Sequence, residues 1–174
     1  MRLRRAARAA IRGLGLALAT TVAACSPQTS SSATISQVTR APQTEAAVHP
    51  RSGLPVIPLT IEHGGRTHMF RVEVARTSIE QSRGLMFRTE MGPDEGMIFP
   101  MDPPRLASFW MRNTVISLDL LFIGSDNRVL NIAANARPYD EKPLTSNGLV
   151  KAVLELNGGR AAQLGIAPGD LVRW

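Results

Sequence analysis

The chain has 174 residues, and its 20 Lys and Arg against 14 Asp and Glu give a formal charge of +6. Five of the basic residues (Arg2, Arg4, Arg5, Arg8 and Arg12) precede Cys25 and every acid follows it, so the remainder carries 15 basic against 14 acidic residues, or +1. A near-neutral remainder lacks the cationic footprint of a nucleic-acid binder, and a single Cys rules out an intrachain disulfide.

Met1 to Arg12 is basic without an acid, and Gly13 to Ala24 is uncharged. A basic start, a short apolar run and small residues before a cleavage point form a secretory signal, and the run is shorter than the ~20 residues that span a bilayer. Val22-Ala23-Ala24-Cys25 has the aliphatic-small-small-Cys order of a bacterial lipobox. It predicts a signal peptide over 1–24, with lipid on the Cys25 sulfur as the membrane partner. Residues 25–52 are rich in Ser, Thr, Gln, Ala and Pro without apolar period, which predicts a flexible tether. The expected location is the cell envelope, facing the periplasm; Ser26 after the Cys favours the outer membrane.

Residues 53–174 have the size of one domain. Val56–Ile61 and Thr67–Val74 flank His63-Gly64-Gly65-Arg66, a hairpin signal that places Leu59, Ile61, Phe70, Val72 and Val74 on one face. Thr77-Ser78-Ile79-Glu80 matches a capping box, and a short helix to about Met86 is expected to bury Ile79 and Met86. Met97–Met101 and Ala107–Met111 read as short strands broken by Asp102-Pro103-Pro104. The apolar run Leu118–Ile123 reads as a strand covered on both faces. Val129–Ala134, Leu149–Leu156 and Leu171–Trp174 complete the strands, with a short helix near Ala161–Leu164. The sum predicts a mainly β (α+β) domain, a compact antiparallel β-sandwich or jelly-roll-like barrel with two short helices.

Arg83-Gly84-Leu85-Met86-Phe87-Arg88, Asp94-Glu95-Gly96-Met97-Ile98-Phe99 and Phe109-Trp110-Met111-Arg112-Asn113-Thr114 leading to Leu118-Asp119 occur together with Val153 to Gly159 and Pro168-Gly169-Asp170. Jointly they resemble the bacterial and archaeal domain-of-unknown-function family 192, over roughly Ile57 to Val172. The resemblance implies a jelly-roll-like domain, commonly exported or tethered, and implies no activity. Ser117 stands where such sequences usually have Pro, and Arg112 where Lys is frequent.

No hydrolase elbow, zincin, phosphate-loop or dinucleotide motif is present, and no cofactor is predicted. The candidate ligand residues are Arg83, Trp110, Asn113 and Asp119. Trp110 either offers a stacking surface beside polar groups or fills the core, with Asn113 in a turn and Asp119 holding that turn. Arg83 and Asp119 either form a structural ion pair or bind a charged ligand. The acids Asp94, Glu95 and Asp119 are the candidates for glycosidic hydrolysis. Met97, Met101 and Met111 belong to a methionine cluster that suits either core filling or Cu(I). His63 and His68 flank the hairpin turn without a third metal ligand. The leading expectation is a non-enzymatic domain binding a small molecule, glycan or envelope protein, with envelope-polysaccharide hydrolysis and copper handling as alternatives.

Overall fold

A computed structural model describes residues 47–174; the expected signal peptide, Cys25 and most of the expected tether lie outside them. In chain order the elements are β1 (Ala47–Val48), β2 (Pro55–His63), β3 (Arg66–Val74), α1 (Ser78–Arg83), β4 (Glu95–Arg105), β5 (Ser108–Phe109), β6 (Leu118–Ile123), β7 (Val129–Ala136), β8 (Leu144–Thr145), β9 (Val150–Asn157), α2 (Arg160–Leu164) and β10 (Leu171–Arg173). The fold is mostly β with two short helices. The large sheet runs β1-β2-β3-β4-β9-β6-β7, and β10 also pairs with β2. β5 and β8 form a separate two-stranded ribbon.

The β2–β3 hairpin has the register its alternation dictates. Leu59 opposes Phe70 and Ile57 opposes Val72, so the odd positions of β2 meet the even ones of β3 on one apolar face. The expected wholly antiparallel arrangement needs correction at the next step: β3 and β4 pair in parallel, Arg71 to Glu95 through Val74 to Ile98. The six residues of α1, with its flanking turns, make the crossover. The sheet also does not close as a barrel. β10 pairs with β2 at one side and meets the start of β7 through an isolated Arg128–Leu171 bridge at the other, which folds the sheet over itself like a sandwich.

β6 is buried at every position, as its continuous apolar run requires. Two clusters cover its faces. Leu121 and Ile123 join Leu59, Ile61, Val72, Ile98, Leu154 and Val172 inside the fold. Leu118, Leu120 and Phe122 join Met97, Phe99, Met111 and Val153 on the opposite face. That second face is roofed by the turn after α1 and by the segment around the small β5–β8 ribbon, with Phe109 and Leu144 packed on it.

Three local expectations change. β4 continues through Pro103 and Pro104 to Arg105, with a register shift between Pro100 and Arg105 and a cis Asp102–Pro103 bond. β1 pairs with β2 within the segment expected as tether. The capping box of α1 is present, with Thr77 accepting from the Glu80 amide and Glu80 reaching back to the Thr77 amide, but α1 buries none of its residues. Ile79 is 81% exposed. The helix is tied down by polar contacts instead: Gln81 Nε2 donates to the carbonyls of Pro100 at 2.8 Å and Ala75 at 3.2 Å. The apolar anchor is Leu85, just past the helix. Gly84, at φ +47°, makes room for the turn; a Cβ there would sit 3.4 Å from the Phe99 ring.

Candidate functional site

The roof over the second face is incomplete. Between α1, the end of β4 and the segment around β5 lies an open cleft of about 560 Å³, within the range of small-molecule sites. Arg83, Arg105, Phe99, Phe109, Trp110, Thr114 and Glu155 are among its lining residues.

Glu155 is the unexpected member. It lies on β9 opposite Met97 of β4 and Leu120 of β6, so its side chain shares the face of Val153 and projects into an apolar row. It is 5% exposed, and its Oε2 has no hydrogen-bond partner among the described residues. Burial disfavours the charged carboxylate and pushes the Glu155 pKa from the ordinary 4.5 up to about 8. At neutral pH this group is a carboxylic acid, able to donate as well as accept.

A second buried acid on the same face is handled in the opposite way. Glu73 of β3 lies opposite Met97, two strands from Glu155 in the same row. It is ion-paired with buried Arg88 at 2.9 Å and bonded to Ser52, with His49 at 3.6 Å. Arg88 thus bolts the turn after α1 to β3. Glu73 does not line the cleft that holds Glu155.

Trp110, Arg83, Asn113 and Asp119 end up in different places. Trp110 is 48% exposed and does not fill the core. It stands at the cleft wall with the Arg112 guanidinium 4.1 Å from its ring centroid. Arg112 is held in turn by Glu141, through bonds of 3.1 and 2.8 Å. The alternating residue Phe109 points inward and packs edge-on against Phe99 and Phe122, at centroid distances of 5.1 and 6.5 Å. Arg83 is exposed at the cleft, with no carboxylate within ion-pairing distance among the described residues. Asn113 sits in a turn at φ 55°, and its carbonyl accepts from the Phe87 amide at 2.8 Å.

Asp119 is remote from Arg83 in role. Fully buried, it accepts from the amides of Asn135, Gly159 and Ala161 at 2.8–2.9 Å. Gly159 gives α2 no side-chain cap, and Asp119 supplies that acceptor from a distant strand. Asp119 therefore neither pairs with Arg83 nor holds the Asn113 turn, as either expectation had it; it ties β7 and the start of α2 to β6.

The other candidates scatter likewise. Asp94 is exposed and pairs with Arg160 at 2.5 Å; Glu95 accepts from the Gly92 amide. Neither lines the cleft. Met97, Met101 and Met111 are all buried in the apolar cluster of the second face. No group of three or more His, Cys, Asp or Glu converges as a metal site among the described residues. His63 Nδ1 lies 3.0 Å from Asp170, and His68 faces Ile61 across the hairpin.

The buried acid sets a pH dependence of stability. Between pH 4.5 and about 8 the folded chain keeps a proton on Glu155 that the unfolded chain has released. The Glu155 contribution to stability is therefore greatest below the lower value and falls as pH rises through the window, by up to about 1.4 kcal/mol per pH unit. Glu155→Gln, isosteric with the acid, should flatten this loss and exceed the parent in stability at pH 8. Chemical denaturation at pH 5, 6.5 and 8 checks this; parallel pH profiles for the two proteins would count against it.

The chain compares closely with other proteins of undetermined activity. Residues 59–174 match the model of DUF192, described as an uncharacterised ACR family. A solved protein of unknown function from Novosphingobium aromaticivorans DSM 12444 is 61% identical, with a TM-score of 0.73 over 76% of this chain and 94% of that one. A solved Sinorhizobium meliloti 1021 protein, provisionally described as a transcription regulator, is 39% identical, with a TM-score of 0.68 over 69% of this chain and 94% of that one. No curated protein matches. The chain belongs to domain-of-unknown-function family 192.

Proposed function

We propose that this protein is an envelope lipoprotein whose domain binds a small molecule in the cleft beside α1. One observation carries the reading: Glu155 and Arg83, neither of them paired with a partner among the described residues, line the same open cavity. A buried polar group left without a partner costs about 1–3 kcal/mol. A cost of that size in a well-packed sheet is what a binding site retains and a purely structural face sheds. Trp110, held flat by Arg112, supplies a stacking wall.

The alternatives have less support. Glycosidic hydrolysis uses two carboxyl groups on one cleft, and among the described residues Glu155 is the sole acid lining this one. Cu(I) binding would draw Met97 and Met111 out of the core they fill. The envelope location rests on the residues around Cys25.

A thermal-shift screen of the purified protein against glycans and periplasmic metabolites should give hits. Trp110→Ala should abolish them while costing under about 1 kcal/mol of stability, the size of one partly exposed cation–π contact. An absence of hits, or a Trp110→Ala variant that loses stability alone, would sink the ligand site. Metabolic labelling with an alkynyl fatty acid should mark the parent in the membrane fraction and leave Cys25→Ser unlabelled; an unlabelled parent would remove the anchor.

A further inference from the structure

The charges and surfaces of the cleft narrow the ligand class, given the binding site proposed above. Its ionisable lining residues are Arg83, Arg105 and Glu155, of which the two arginines carry charge at neutral pH. Arg105 Nη2 donates to Gln81 Oε1 at 3.2 Å, which leaves most of its fork unused. Arg83 has none of its donors committed to a carboxylate among the described residues. The opening is thus cationic, and a guanidinium with a free fork is suited to a carboxylate or another planar anion.

The walls of the cleft differ in character. Phe109 turns inward on the Phe99 ring, and Trp110 has one face occupied by Arg112. Such walls favour a flat, apolar body over a flexible polar one. At the buried end stands Glu155 between Met97 and Leu120, with Oε2 unpartnered. A buried carboxyl in its neutral form donates one hydrogen bond, and a ligand carbonyl or hydroxyl would satisfy it. A second anionic group there would meet desolvation without compensation.

We propose that the cleft takes a small organic anion with a planar apolar body and a neutral hydrogen-bond acceptor at the end remote from its charge. The anionic group pairs with Arg83, the body lies against Phe109 and Trp110, and the acceptor receives the Glu155 proton. Each part of the ligand answers a different residue, so the parts are separable by experiment.

Three probes test this on the full protein at pH 6.5, with affinities from titration followed by NMR of the cleft resonances. They are 4-acetylbenzoate, its uncharged analogue 4-acetylbenzamide, and benzoate, which lacks the remote acceptor. The acid should bind at least tenfold more tightly than the amide, and Arg83→Gln should shrink that ratio to under twofold. The preference for 4-acetylbenzoate over benzoate should survive in Glu155→Gln, which still donates, and vanish in Glu155→Leu. Equal binding of acid and amide at the cleft would overturn the ligand class and leave the binding site standing. So would screening hits confined to cations or neutral glycans that still require Trp110. Cleft resonances unmoved by all three probes, together with a screen without hits, would overturn both.

Discussion

Strands β4, β9 and β6 carry apolar side chains on both faces, and each face has to be kept from water. Burying such side chains is worth about 25 cal/mol per Å², so the demand for two covers governs how the rest of the chain is laid out. One cover comes from the sheet itself, as the β2–β3 hairpin and β10 fold across the Leu121, Ile123 and Leu154 side. The other comes mostly from irregular chain flanking the small β5–β8 ribbon: Leu85 behind α1, and Ala107 and Met111 around β5. Irregular cover leaves gaps, and the cleft is the gap. Its position follows from the fold, and its chemistry follows from which side chain happens to stand beneath it.

The two acids of the second face show how much that matters. Glu73 and Glu155 flank Met97 in one row across three strands. Glu73 lies where the turn after α1 closes down, and Arg88 reaches it. Glu155 lies where the roof is open, and no counter-ion arrives. A matched ion pair keeps its charge, whereas an isolated carboxyl in an apolar row gives it up. The same residue type, two strands apart, thus becomes a structural bolt in one place and a neutral proton donor in the other.

Much of the fold was legible in the residues, because period and punctuation are local signals. The Gly64-Gly65 hairpin, the Thr77–Glu80 capping box and the doubly buried Leu118–Ile123 strand all stand as their sequences dictate. The parallel β3–β4 pair was not legible: the capping box marks the helix, but six helical residues are too few to signal a crossover between parallel strands. Ile79 misled because a capping box fixes where a helix begins and says nothing about which face has a neighbour. The site was legible only in part. Trp110 and Arg83 stand out as an aromatic and a cation in family-like motifs. Asp119 drew attention for its acidity at a strand start, yet its three backbone donors come from Asn135, Gly159 and Ala161, all distant in sequence. Glu155 was hidden by its surroundings: a single acid in Val153-Leu154-Glu155-Leu156 reads as the polar side of an alternating strand. The clue was that Val153, on the same face by period two, is apolar and buried.

The account turns on whether Glu155 holds its proton at neutral pH. Its side-chain carboxyl carbon, followed by NMR in selectively labelled protein across pH 4 to 9, reports this directly. The account predicts a midpoint near 8, well above the ordinary 4.5. A midpoint in the ordinary carboxylate range would mean that water or a counter-ion reaches the group, and the proton-donating floor of the cleft would be lost.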